Sequence, residues 1–66
     1  MDARILRTPE AARYLGLSPA TLERMRQEGT GPAFLRLGER AVGYDLAALD
    51  EWLDRRRRSA AEAGRK

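Results

Sequence analysis

Two hydroxyl–proline pairs, Thr8-Pro9 and Ser18-Pro19, set the framework of this 66-residue chain. Each puts a hydroxyl where it can cap a helix N-terminus. Each puts a proline at the first helical position, where its missing N–H costs nothing. Leu15-Gly16-Leu17 lies between the pairs and Gly29 follows the second segment; glycine takes the left-handed conformation that ends a helix and turns the chain. The pattern predicts one helix from Pro9 to Leu15 capped by Thr8. It predicts a second from Pro19 to Glu28, capped by Ser18 and ended by Gly29. Helix, glycine turn and helix within about 20 residues is the size of a helix-turn-helix, a unit that can place its second helix in a DNA major groove.

The flanks complete a small domain. Arg4-Ile5-Leu6-Arg7 alternates enough for a short strand. Ala11, Ala12, Tyr14 and Leu15 recur at helical spacing in the first helix. Thr30-Gly31-Pro32 is a breaker cluster. Phe34-Leu35-Arg36-Leu37 then reads as a strand with Phe34 and Arg36 on one face and Leu35 and Leu37 on the other. Gly38-Glu39-Arg40 is a turn and Ala41-Val42-Gly43-Tyr44 the returning strand. Asp45 is an N-cap for a third helix, Leu46 to Arg57, whose apolar stripe is Leu46, Leu49, Trp52 and Leu53. The expected fold is mainly α with a small β-hairpin, in the order β-α-α-β-β-α: a winged helix-turn-helix over residues 1–58. Residues 59–66 are expected to form a basic, flexible C-terminal tail. Trp52 is expected to contribute most to the core, with Phe34 and Tyr44 also packed there and Tyr14 partly buried. No repeat, linker or second domain is evident.

The chain has neither cysteine nor histidine. That removes disulfides, thiolate metal sites, the commonest general base and the commonest metal ligand. Paired carboxylates occur only on an evident surface helix, so an enzyme is the least favoured class, and neither a cofactor nor a metal is expected. No apolar run approaches a membrane span, and Met1-Asp2-Ala3-Arg4 does not read as a signal peptide. The expected location is cytoplasmic, associated with the nucleoid, with no membrane partner. Net charge is +3 and the isoelectric point about 10.2, which favours an anionic partner. The charge is unevenly placed: residues 55–66 carry a balance of +5 and residues 1–54 a balance of −2. A DNA-binding face must therefore come from local placement.

On the second helix, Leu22 and Met25 define the buried side. Ala20, Glu23, Arg24 and Gln27 lie opposite, flanked by Thr21 and Glu28, while Arg26 sits at the edge with its stem free to pack and its head free to reach out. Ser18, Ala20 and Thr21 surround backbone N–H groups that suit a phosphate. Arg24 can read guanine or contact phosphate, Gln27 can read adenine, and Glu23 can accept from cytosine N4. The same Arg24 also reads as an exposed i,i+4 partner of Glu28. Arg36 and Arg40 lie on the hairpin, whose tip can enter the adjacent minor groove; a solvated turn residue is the secondary reading of Arg40. Within the Arg55–Arg58 run, Glu51–Arg55 and Asp54–Arg58 are favourable i,i+4 pairs. That run reads equally as a solvated helix end and as a clamp on DNA phosphates.

The stretch TPEAARYLGLSPATLERMRQEGTGPAFLRLGERAVGYDLAALDEWL resembles the excisionase/AlpA-like family, small relatives of the MerR-type winged helix-turn-helix proteins, over roughly residues 5–54. The most specific parts are E-A-A-x-x-L-G-L-S (Glu10 to Ser18), T-L-x-R-M-x-x-x-G (Thr21 to Gly29), L-G-x-R (Leu37 to Arg40) and L-x-x-L-D-x-W-L (Leu46 to Leu53). The resemblance implies a second helix in the major groove and a wing on the adjacent groove or backbone, with Ser18, Thr21, Arg24, Arg36 and Arg40 at the contact. It also implies a phage or mobile-element setting, in which members regulate transcription or act as excisionases that direct recombination. Implied partners are double-stranded DNA, an integrase (recombinase) or RNA polymerase, and further copies arranged head to tail on DNA. Glu23 stands where relatives often carry an aromatic residue, and Asp45 where they often carry a basic one; both lower the expected affinity. The competing expectation, motivated by Glu23 and the acidic balance of residues 1–54, is a winged-helix adaptor that binds protein and has lost DNA binding.

Overall fold

The computed structural model describes residues 4–64. Met1 to Ala3, and the Arg65 and Lys66 counted in the basic tail, lie outside the described residues. The elements are β1 (Ile5–Arg7), α1 (Thr8–Leu15), α2 (Pro19–Glu28), β2 (Leu35–Arg36), β3 (Val42–Asp45) and α3 (Leu46–Gly64). Among the described residues the fold is a winged helix-turn-helix: three helices and a small antiparallel sheet in the expected order.

The strands form an antiparallel sheet in the order β1-β3-β2. Ile5 pairs with Asp45, Leu6 with Tyr44 and Arg7 with Gly43; on the other side Leu35 pairs with Gly43 and Arg36 with Val42. The hairpin is thus completed by the N-terminal strand, which makes β3 central. Strand alternation then sorts the side chains. Leu6, Tyr44, Val42 and Arg36 share one face; Ile5, Arg7, Leu35, Gly43 and Asp45 share the other. Gly43 sits at the centre of that second face, where a larger residue would have to displace its neighbours. A Cβ there would stand 2.6 Å from Ile5 Cγ2 and 2.9 Å from Leu37 Cδ1, so these two side chains close over the bare backbone.

The strand β1 runs directly into α1, and this corrects the expected cap. Arg7, extended at φ −83° and ψ 169°, is the N-cap, and no side chain caps the helix. Pairing with Gly43 imposes the extended conformation on Arg7, so Thr8 is already helical and its hydroxyl cannot take the cap position. At the other end Gly16 is left-handed, φ 78°. Its N–H donates to Arg13 C=O at 3.1 Å and that of Leu17 to Ala12 C=O at 2.8 Å, a Schellman closure.

The core is Ala11, Ala12, Leu22, Tyr44 and Leu49, with Leu6, Leu15, Val42 and Leu46 packed against it. The small side chains of Ala11 and Ala12 let α1 approach its neighbours closely. Tyr44, on the inner face of the central strand, is fully buried as expected. The other three aromatic expectations are corrected, the first two by exposure: Phe34 is 40% exposed and Tyr14 46% exposed. Phe34 precedes the edge strand and lies beside the Tyr44 ring, with centroids 6.4 Å apart and tilted. Trp52 is half-buried, because it lies one turn beyond Leu49 where α3 leaves the core; the Arg56 guanidinium covers it at 4.2 Å from the ring centroid.

The third helix begins as expected: Asp45 Oδ1 accepts from the Ala47 N–H at 3.2 Å. It continues past the expected end at Arg57 to Gly64. Ala60, Ala61 and Ala63 are strong helix formers, so propensity carries the extension beyond the packed part.

Candidate nucleic-acid interface

The helix α2 is held by local devices at both ends. Ser18 Oγ accepts from the Thr21 N–H at 3.1 Å and donates to Thr21 Oγ1 at 2.9 Å. The first helical bond runs from Leu22 N–H to Ser18 C=O at 3.0 Å. These bonds narrow the expected phosphate site. The N–H groups of Thr21 and Leu22 are engaged and Pro19 has none, which leaves that of Ala20 without a partner among the described residues. At the C-terminus Gly29 is left-handed, φ 76°. Gly29 N–H reaches Arg26 C=O at 3.2 Å and Thr30 N–H reaches Met25 C=O at 2.9 Å, the same closure that ends α1.

Burial divides α2 much as its spacing predicts. Leu22 is buried, Thr21, Met25 and Arg26 are half-buried, and Ala20, Glu23, Arg24, Gln27 and Glu28 are exposed. Arg24 Nε lies 3.8 Å from Glu28 Oε2, with both side chains more than half exposed. So open an ion pair contributes little to stability and gives way readily to a stronger anion. Glu23 stands on the same exposed face as Arg24 and Gln27.

On the hairpin, the Leu37 and Gly38 N–H groups both donate to Ala41 C=O, at 2.8 and 3.2 Å. This closes the tip and leaves Glu39 and Arg40 exposed on it. Arg36 is on the helix-side face of the sheet, yet exposed because β2 is an edge strand. The four arginines that begin the basic run are engaged on α3 itself. Arg55 pairs with Glu51 at 3.8 Å, Arg57 and Arg58 with Asp54 at 3.9 and 3.2 Å, and Arg56 lies over Trp52. Arg55 also lines a shallow groove between α3 and the loop Gly31-Pro32-Ala33 that joins α2 to the hairpin.

Two features escaped the spacing argument. The head of Arg26 turns inward: its Nη1 donates to the Tyr44 hydroxyl at 3.1 Å, and its guanidinium stands 5.8 Å from the Phe34 ring centroid. The available signals were the position of Arg26 one turn after Leu22 and the need of any buried phenol for a partner. The second is the hydroxyl of Tyr14, which donates to Asp50 Oδ1 and ties α1 to α3. That hydrogen bond, with lesser contributions from desolvation and the Asp50 charge, raises the Tyr14 phenol above its ordinary value of 10.0. Among the described residues, no group of three or more histidine, cysteine, aspartate or glutamate side chains could hold a metal ion. No helix there is long and apolar enough to cross a membrane.

A capped, exposed second helix set beside a closed hairpin defines a small winged helix-turn-helix domain. The helix-turn-helix domain family matches residues 5–57, most of the chain, and the protein belongs to that family. Membership points to binding of double-stranded DNA by a protein of a typically non-enzymatic kind. No curated protein matches the chain at a significant level.

Proposed function

We propose that the protein is a sequence-specific, non-enzymatic DNA-binding protein of phage or mobile-element type, acting as a transcriptional regulator or an excisionase. In this reading α2 enters the major groove and the β2–β3 hairpin lies on the adjacent groove or backbone. The observation that carries it is the exposed face of α2, where Arg24 and Gln27 stand free of the core on a helix fixed at both ends. Arg24 reads a guanine edge or a phosphate once it leaves Glu28. Gln27 reads a neighbouring base, Glu23 selects cytosine, and Ser18, Ala20 and Thr21 border the phosphate beside the helix N-terminus. Arg36 and Arg40 hold the wing on the backbone, with Arg55 and Arg58 adding non-specific attraction after releasing their carboxylates.

One reader helix and one wing make a module of about 600–1,000 Å² of buried protein surface. Useful specificity then requires several copies, arranged head to tail, or a protein partner such as an integrase or RNA polymerase. A second reading, a protein-binding adaptor without DNA affinity, draws support from Glu23 on the reader face. It also draws support from three exposed apolar side chains on the outer face of the sheet: Ile5 at 38%, Leu35 at 42% and Leu37 at 49%. A mobility-shift titration on DNA from the gene's own neighbourhood separates the two. DNA binding predicts an affinity that falls steeply and log-linearly with salt. Absent or salt-indifferent binding supports the adaptor.

A further inference from the structure

We infer that Arg26 and Tyr44 form a tie that fixes the angle between the reader helix and the wing, so that both engage one duplex at once. The inference rests on the DNA-binding reading above and adds positioning residues to it. The helix α2 packs chiefly on α1, and its link to the hairpin is the loop from Gly29 to Phe34, which contains two glycines. Among the described residues, the only side-chain hydrogen bond joining α2 to the sheet is the one from Arg26 Nη1 to the Tyr44 hydroxyl. The same guanidinium faces Phe34, which in turn leans on Tyr44, so one cation contacts both ends of the hairpin's root. Tyr44 is itself well anchored: it is fully buried and its backbone lies in the central strand. Arg26 therefore refers the orientation of α2 to the centre of the sheet, without touching DNA.

Two contacts on one ligand reinforce each other only if their geometry is set beforehand. With the tie in place, Arg40 at the wing tip is presented while α2 is docked. Without it α2 settles at a range of angles to the sheet, and Arg40 engages in only a fraction of complexes. The consequence is a coupling between residues on different elements: breaking the tie lowers the value of Arg40 but spares that of Arg24, which belongs to α2 itself.

The test uses the full chain and a labelled duplex bearing the site that the parent protein selects from a randomised library. Tyr44→Phe removes only the acceptor hydroxyl, and Arg26→Met keeps the stem while removing the cation. The second variant serves if the first unfolds, with circular dichroism and thermal melts establishing the folded fraction. The tie predicts that either variant, fully folded, binds about tenfold more weakly. It predicts that the penalty of Arg40→Ala, about tenfold in the parent, shrinks to about threefold or less in either background, while that of Arg24→Ala is unchanged. If the Arg40→Ala penalty is the same in all backgrounds, the contact only stabilises the fold and the inference is overturned, with the DNA-binding reading left standing. If the parent selects no site, both fall together.

Discussion

The helices α1 and α2 begin and end with nearly the same residues, yet they are held by different forces and face different ways. Each carries a hydroxyl–proline pair at its start and a left-handed glycine in a Schellman closure at its end. At α2 the cap is local, because Ser18 bonds the Thr21 N–H. At α1 the cap is tertiary, because Arg7 is already fixed in the sheet opposite Gly43 and no side chain is needed. The buried residues follow the same division. Ala11 and Ala12 sink α1 into the core, whereas α2 buries only Leu22 completely and leaves Glu23, Arg24 and Gln27 in solvent. A helix placed by its surroundings can be structural throughout. A helix that carries its own caps can spend most of its surface on a ligand.

Small changes at alanines expose that contrast most strongly. Ala12→Leu overpacks a closed contact and should destabilise by about 1–3 kcal/mol. Ala20→Leu, on the solvated start of α2, should change stability by no more than about 0.5 kcal/mol. Thermal or urea unfolding of the two variants checks this, and equal losses would remove the distinction between the helices. Next comes Arg24→Ala, which should leave stability nearly unchanged but cost about 1–3 kcal/mol of binding to a preferred site, measured by fluorescence anisotropy.

The caps give a smaller effect of the same kind. Ser18→Ala should cost about 1 kcal/mol of stability by freeing the Thr21 N–H. Thr8→Ala, whose hydroxyl caps nothing, should cost no more than about 0.5 kcal/mol. A reversed order in paired melts would show that α1 depends on Thr8 after all.

These residues also mark how far the sequence could be read. Gly16, Ser18, Gly29 and Asp45 act through bonds to residues within a few positions, so their roles were legible from residue type and spacing. The exposed face of α2 was legible for the same reason. Thr8 misled because the competing constraint, pairing of Arg7 with Gly43, comes from a strand more than half the chain away. Tyr44 is in the core as expected, but it and not Trp52 is the largest side chain buried there, for a similar reason. Side-chain size favours Trp52, but burial follows position, and Tyr44 has the central strand while Trp52 has the overhanging turn of α3. Of the candidate interface, its residue types were legible. The inward turn of Arg26 was not, since it depends on a partner that the fold brings within hydrogen-bonding reach from 18 residues away.

The smallest effect concerns the junction of α1 and α3. The Tyr14 phenol is raised above its ordinary value because the bond to Asp50 needs the proton. A raised folded-state value means that the contribution is complete below the unfolded value, near 10, and is lost as pH rises through the folded one. Ultraviolet titration of the parent against Tyr14→Phe should show the missing tyrosine ionising above pH 10. Alkaline melts of Tyr14→Phe should lack the small loss of stability that the parent shows there. An ordinary titration would mean that α1 and α3 meet without this bond.

The most direct test of the central claim is selection from a randomised duplex library by the parent and by Arg24→Ala, with both pools sequenced. If α2 reads the major groove, the parent enriches a defined motif and Arg24→Ala loses preference at one or two adjacent base positions while the rest of the motif persists. An identical motif from both proteins, or none from the parent, would contradict the assignment of α2 as the reader.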